Sequence, residues 1–157
     1  MSFCIKDLPK VELHVHLDCC LSFKGLSRID PTISESFYKK NFIGTSCSCL
    51  KDYIRCADTA LEYMQTKEQL EIVVEDLFDQ LTNDNVIYAE IRFAPLLHQK
   101  KGLSSKNVVE IVSNKTKIES EKLKALSDEY NIPQSEIARE GIRYISNRQA
   151  KMKNKKK

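Results

Sequence analysis

Two short β-branched segments, separated by a long stretch with helical spacing, constrain the fold of this 157-residue chain more than any other feature. Residues 11–16 alternate apolar and polar side chains, which is typical of a strand, and residues 86–94 form a second such segment, which ends at Pro95. Strands joined by so long a helical connection pair in parallel. The sequence therefore predicts an α/β fold.

Helical spacing fills the connection between the two segments. Residues 50–64 show it, and Thr66 with Gln69 three positions later forms a capping box that predicts the start of a better helix. Residues 18–49 are mixed and predict loop with short helical pieces. The better helix carries one apolar stripe, made of Leu70, Val73, Val74, Leu77, Phe78 and Leu81.

The chain changes character after Val112. Residues 1–113 hold 13 basic and 16 acidic side chains, a net charge of −3, whereas residues 114–157 hold 12 and 6, a net charge of +6. Such asymmetry indicates two units with different partners. We predict an N-terminal unit at 1–112, a helical hairpin at 113–150 and a basic, disordered tail at 151–157.

Composition excludes several classes of protein. No uncharged apolar run approaches the roughly 18 residues of a membrane span, and an acid and two lysines occupy the first ten residues, where a signal peptide needs apolar side chains. The six cysteines all lie within the first 56 residues, a spacing that favours reduced thiols over a disulfide framework. We expect a cytoplasmic protein with no membrane partner.

His14 and His16 are the sharpest chemical signal. Because side chains alternate along a strand, both lie on one face together with Glu12, about 6–7 Å apart along the strand. Two neutral imidazoles so arranged can converge on one divalent metal ion. The alternative interpretation is a pair of histidines that hydrogen-bond to neighbours on a half-buried strand.

Longer motifs surround this pair. The run Leu-Pro-Lys-Val-Glu-Leu-His-Val-His-Leu-Asp at 8–18 strongly resembles the opening motif of the adenosine deaminase family. The run Val-Ile-Tyr-Ala-Glu-Ile-Arg-Phe-Ala-Pro-Leu-Leu-His at 86–98 resembles that family's second characteristic stretch. Residues 64–70 and 101–104 fit as well, in the right order, so the resemblance covers residues 7 to about 112.

The resemblance implies a fold, a reaction and a set of site residues. Such enzymes are (β/α)8 barrels, also called TIM barrels, with zinc at the C-terminal face of the strands, and zinc-activated water converts adenosine or deoxyadenosine to inosine or deoxyinosine and ammonia. It implies His14 and His16 as zinc ligands and Asp18 as the residue that hydrogen-bonds the ribose. Leu50 and Ile54 then fall in the helix that lines the apolar mouth of the purine nucleoside pocket.

The resemblance also leaves parts of the family's site without a counterpart. The third zinc-binding histidine, the catalytic glutamate and histidine, and the late aspartate ligand belong to later strands, and no such motif follows Val112. We therefore expect a partial barrel, with only the first strands and helices, that is inactive alone. Cys19 stands where the family usually has glycine, and Ala57 where an aromatic residue is common. Cys19 and Cys20 are more readily interpreted as incidental thiols than as substitute metal ligands.

Residues 115–148 bear a weaker resemblance to ribbon-helix-helix DNA-binding modules. A helix at 119–131, a turn, and a second helix capped by Ser135 have that rhythm. A preceding strand with Lys115, Thr116 and Lys117 would then contact DNA, in a homodimer, and Ser135 would hold a phosphate at a helix N-terminus. The alternative is a helical hairpin packed on the first unit.

Three functional hypotheses follow. The first is a truncated adenosine deaminase-like hydrolase with zinc as cofactor, and the second is a small dimeric DNA-binding protein with a vestigial enzyme fragment. The third is a remnant that does not fold well.

Overall fold

Two neighbouring parallel strands form the sheet. The computed structural model describes residues 5–44 and 47–136, and within them β1 (Lys10–His16) pairs with β2 (Val86–Arg92). His16 lies opposite Arg92 in the register. Since parallel strands end at the same edge of a sheet, the residues that follow His16 and Arg92 meet there. The predicted parallel α/β arrangement is confirmed.

Helices make up most of the described residues. The region between the strands is helical as predicted, and residues 18–49 contain two short helices. No helix of the described ranges combines the length and the apolar character that crossing a bilayer requires. The α-helices are α1 (Phe23–Ile29), α2 (Glu35–Asn41), α3 (Leu50–Leu61), α4 (Lys67–Asn83) and α5 (Ser105–Glu129). Short 3-10 turns lie at Ile5–Asp7, Leu17–Cys19 and Pro95–His98.

Helix α4 forms the centre of the core. The predicted capping box is present: the Thr66 hydroxyl accepts from the amide of Gln69, and the Gln69 side chain accepts from the amide of Thr66. All six residues of the predicted stripe are buried, and each contributes about 1.5–3 kcal/mol relative to exposure. The helix ends at Asn83, and Asn85 then adopts a φ of 55°, a left-handed conformation that asparagine tolerates.

A buried carboxylate joins α1 to α4. The amide of Ser22 donates to one oxygen of Asp76 at 2.8 Å, and the Ser22 hydroxyl donates to the other at 2.5 Å. That hydroxyl also accepts from the amide of Gly25 and so caps α1. Gln80 donates a third hydrogen bond to Asp76. These contacts fix the start of α1 on α4, directly after the turn that follows β1.

Helix α5 corrects the expected break after Val112. The sequence predicts a new unit after Val112, with a strand at 115–117 and a helix from Glu119. The structure instead has one continuous helix, which crosses the proposed unit boundary between 112 and 113. Val108, Val112 and Leu123 are all buried. The intervening residues contain neither glycine nor proline, so nothing interrupts the hydrogen bonds of the helix.

An ion-pair network supports this continuity. Lys115 and Lys122 each contact the buried Glu119 carboxylate at 2.8 Å. On α4, Glu75 receives Lys115 at 3.3 Å and Asp79 receives Lys122 at 2.7 Å. Ion pairs therefore hold the polar middle of α5 on α4. The pattern of apolar residues by itself predicts that the helix breaks there.

Candidate metal centre

The two strand histidines converge at the end of β1. The Nε2 atoms of His14 and His16 are 2.8 Å apart, and the ring centroids are 4.8 Å apart. Alternation along the strand puts both side chains on one face, and the rings then lean towards each other across the intervening Val15 position. At this separation one ring donates an N–H and the other accepts it. Two imidazole ligands of a tetrahedral zinc ion, with Zn–N distances of about 2.0–2.1 Å, lie about 3.3 Å apart, so a small rotation of the rings would make room for a shared cation.

The donor set around this pair does not complete a zinc site. No group of three or more histidine, cysteine, aspartate or glutamate side chains that could hold a metal ion is found among residues 5–44 and 47–136. Catalytic zinc takes three protein ligands and a water. His14 and His16 alone therefore do not make up the ligand set of a catalytic zinc site.

Asp18 is held in the turn directly after β1. Its side chain is nearly buried, with 8% of the residue exposed. One carboxylate oxygen lies 2.8 Å from Nε2 of His98, and the other accepts from the amide of Ala94 at 3.1 Å. Each carboxylate oxygen has a second lone pair, so Asp18 retains acceptor capacity for a further hydroxyl.

The partner of Asp18 is His98, the last residue of the motif at 86–98, for which the sequence by itself predicts no more than a loop or supporting position. It is fully buried in the turn after β2, and its Nδ1 lies 2.9 Å from the Met64 carbonyl oxygen. The parallel pairing of β1 and β2 brings the Asp18 and His98 turns to the same sheet edge. That geometry is the signal that could have found this contact, because both residues follow a strand end.

Leu50 and Ile54 lie on the outer face of α3. They are 73% and 50% exposed and border a shallow surface depression together with polar neighbours. Neither of them lines the cavity that borders Cys19. That cavity, of about 260 Å³, lies along the neighbouring face of the same helix. Its walls are formed by Cys19, Leu21, Phe42, Ile43, Gly44, Tyr53, Cys56, Ala57 and Ala60.

Sequence reasoning missed most of this cavity. Tyr53, Cys56 and Ala60 recur at helical spacing, so the pattern of α3 contained the signal for a second face. Ala57, noted because the family often has an aromatic residue there, lines the cavity as well. A small side chain at this position leaves the space open.

The thiols of the adjacent Cys19 and Cys20 have raised pKa values in this environment. Burial and the neighbouring Asp18 charge raise the pKa of Cys19. Burial is also the largest cause that raises the pKa of Cys20 to about 11, with smaller contributions from nearby acidic groups. A metal binds the thiolate form, so these thiols, which stay protonated near neutral pH, fit the interpretation of incidental cysteines.

The proposed DNA-contacting residues lie in a different structure from the one expected. Lys115, Thr116 and Lys117 are in the middle of α5, so the strand predicted there is wrong. The charge of Lys115 is paired with Glu75 and Glu119.

The second helix of that module lies mostly outside the described residues. Its first turn begins at Gln134, one residue before the predicted cap, and Ser135 is exposed. Gln134 donates to the Ile87 carbonyl at 2.8 Å, and the Tyr130 hydroxyl donates to that of Asp7 at 3.2 Å. These contacts pack the segment on the rest of the chain, and within the described ranges no observation favours a DNA-binding function.

Comparison with known sequences decides the family. The sequence profile named adenosine deaminase matches residues 9–127. The chain belongs to the adenosine deaminase family. An adenosine deaminase of Clostridium botulinum (strain Langeland, type F) is 38% identical over 126 residues, which cover 75% of this chain. An adenosine deaminase of Haemophilus ducreyi is 36% identical over 107 residues, which cover 63% of this chain.

The family match includes most of α5 but only part of each relative. The match extends to residue 127. The resemblance that the motifs alone indicate ends at about residue 112. The matched segment spans 37% of the length of the Clostridium enzyme and 31% of the Haemophilus enzyme. The adenosine deaminase match thus covers both strands, α1 to α4 and most of α5.

Proposed function

We propose that this chain forms part of a zinc-dependent hydrolase that converts adenosine or deoxyadenosine to inosine or deoxyinosine and ammonia. The observation that carries the proposal is the convergence of the His14 and His16 Nε2 atoms, 2.8 Å apart, where β1 ends. In TIM barrels the active site lies at the C-terminal ends of the strands. Membership of the adenosine deaminase family supplies the reaction class.

Each site residue has a proposed role. His14 and His16 supply two imidazole ligands to zinc, and a donor outside the described residues completes the ligand set. Asp18 accepts a hydrogen bond from a ribose hydroxyl, while His98 and the Ala94 amide fix its carboxylate. A carboxylate held from within the fold loses little freedom when the nucleoside binds, which favours recognition.

Leu50 and Ile54 are proposed to receive the apolar face of the purine nucleoside. Both side chains are at least half exposed, so a ligand or an additional segment of protein has apolar surface to cover. Burial of such surface contributes about 25 cal/mol per Å² removed from water. Their place on the outer face of α3 means that this contact requires the pocket wall to be completed from another part of the barrel.

We further propose that the described part is a partial (β/α)8 barrel that does not turn over adenosine by itself. A closed barrel has eight parallel strands, whereas the described residues contain two, and His14 and His16 are the two ligands proposed among them. Activity then requires the other strands, either from further sequence or from a second polypeptide. Sheet edges that are left unpaired readily accept another strand.

Complementation tests this function directly. Ammonia release from adenosine would be measured with zinc and the purified 157-residue chain, with and without a fragment of the Clostridium botulinum enzyme that comprises the region beyond its match to this chain. We expect ammonia only when both are present, and a loss of at least a hundredfold with His14→Ala. The control is Glu121→Gln, on the exposed side of α5, which should keep full activity.

Two results would contradict the proposal. If the mixture released ammonia at the same rate with His14→Ala, His14 would have no role in the reaction. Robust zinc-dependent release by the 157-residue chain alone would show that the described part needs no complement.

A further inference from the structure

Two cysteines adjoin the cavity on the inner side of α3. The Sγ atoms of Cys47 and Cys56 are 3.7 Å apart, although the residues are nine positions apart in sequence. Cys56 lies in α3, is buried and lines the cavity, whereas Cys47 precedes the helix and is partly exposed. A disulfide requires an S–S distance of about 2.05 Å. The two sulfurs are therefore about 1.7 Å farther apart than in a disulfide, and both belong to free cysteines.

We propose that Cys47 and Cys56 form a reversible disulfide that fixes the wall of this cavity to α3. The amide of Cys47 donates to the Gly44 carbonyl at 3.1 Å, so the cysteine is directly tied to the wall that begins at Phe42. Gly44 in turn lies close against the Tyr53 ring, because a Cβ added to it would be 2.6 Å from that ring. A covalent bond to Cys56 adds a fixed point on the same face of α3.

The reaction is an ordinary thiol–disulfide exchange with a low-molecular-weight disulfide such as glutathione disulfide. The Cys47 thiolate attacks one sulfur of the oxidant, which breaks its S–S bond, releases one glutathione thiolate and leaves a mixed disulfide. The Cys56 thiolate then attacks the Cys47 sulfur and releases the second glutathione. The two protein thiols lose two protons and two electrons, and the oxidant becomes two glutathione molecules.

The environment makes the exchange slow at neutral pH. Burial, followed by the hydrogen bond and charge of Cys56, raises the pKa of Cys47. The thiolate is the attacking form, so the rate should rise as the pH is raised. This proposal is independent of the deaminase function, because thiol chemistry is measured without zinc or nucleoside.

Peptide mapping after oxidation tests the proposal. The full chain would be incubated with glutathione disulfide, blocked with iodoacetamide and digested with trypsin, which cuts after Lys40, Lys51, Arg55 and Lys67. Cys47 and Cys56 then lie in different peptides, residues 41–51 and 56–67. We expect these two peptides joined, two hydrogens lighter than the separate thiols, and released by dithiothreitol.

Matched variants identify the sulfur, since Cys49 shares a peptide with Cys47. Cys49→Ser should keep the joined peptides and Cys47→Ser should abolish them, and the reverse pattern would overturn the proposal. Recovery of Cys47 and Cys56 as separately alkylated peptides after oxidation would also overturn it. Hydrogen exchange of peptides that contain residues 42–44 should slow in the oxidised chain, and unchanged exchange would refute the fixing of the wall.

Discussion

Nε2 of His98 lies 2.8 Å from Oδ1 of Asp18, with the histidine fully buried. On its other side, Nδ1 of His98 lies 2.9 Å from the carbonyl oxygen of Met64. A neutral imidazole has one N–H, whereas a carbonyl and a carboxylate are both acceptors. Only one of the two contacts can use the single N–H of a neutral ring, and the tautomer decides which. The His98 ring thus joins the turn after β2 to Asp18 in the turn after β1 and to Met64 after α3.

Replacement of His98 should strongly destabilise the chain. In His98→Ala the Asp18 carboxylate and the Met64 carbonyl both lose their contact with the buried ring, and each buried polar group left without a partner costs about 1–3 kcal/mol. The control is Leu97→Ala, one residue earlier but 45% exposed, for which we expect a loss of less than about 1 kcal/mol. Urea unfolding followed by circular dichroism measures both. Equal losses in the free energy of unfolding would show that the contact between Asp18 and His98 contributes no more to stability than the exposed Leu97 side chain does.

A methyl group at Gly25 should also destabilise the fold. A Cβ built there lies 2.5 Å from Cγ of Asp76, which is buried and bonded to Ser22. Because the carboxylate cannot move away without breaking those bonds, Gly25→Ala should cost about 1–3 kcal/mol, as overpacking does. Lys24→Ala, on the exposed neighbour, is the control. Thermal unfolding would measure both, and a melting temperature of Gly25→Ala at or above that of the parent would contradict the packing described.

The ion pairs between α4 and α5 predict loss of stability in acid. Arg28 and Lys115 lower the pKa of Glu75, and Lys122 and Lys24 lower that of Asp79. These carboxylates are protonated at higher pH in the unfolded chain than in the folded one. The stability that these carboxylates contribute is therefore fully present above their pKa values in the unfolded chain. It is lost as the pH falls through their lower pKa values in the folded chain. We expect the free energy of unfolding to fall progressively below about pH 5.

The variant Glu119→Gln tests how much the ion pairs of Glu119 contribute to stability. Burial alone would raise the pKa of Glu119, but Lys115 and Lys122 lower it overall. Loss of its charge should reduce the free energy of unfolding at neutral pH by about 1–3 kcal/mol and flatten the acid dependence. Glu121→Gln, an exposed position, should leave both unchanged. If the two variants gave superimposable pH profiles, the buried network would not support α5.

The sequence predicts best where one pattern dominates. The capping box of α4 and its apolar stripe fix that helix without reference to the rest of the chain, and the alternating strand puts His14 and His16 on one face. The continuity of α5 was missed because Glu119 is held by ion pairs with residues that only the fold brings near. Asp76 was missed for the same reason, since its partner Ser22 lies 54 positions away.

Asp18 and His98 illustrate the intermediate case. Each residue stands after a strand, and the resemblance to the family indicated a role for Asp18. Their direct contact depends on the parallel register, which places residues 80 positions apart at one sheet edge. Which residues of α3 line the cavity is equally a matter of tertiary packing, because Leu50 and Ile54 have the same helical spacing as the residues that do so.

Zinc binding by the purified chain tests most directly whether its first strand carries two metal ligands. Isothermal titration with zinc would compare the parent chain, His14→Ala, His16→Ala and the control Cys19→Ser. We predict one weak site in the parent, at least tenfold weaker binding in each histidine variant, and no change in the control. Undiminished binding in both histidine variants would contradict the account, as would loss of binding in Cys19→Ser.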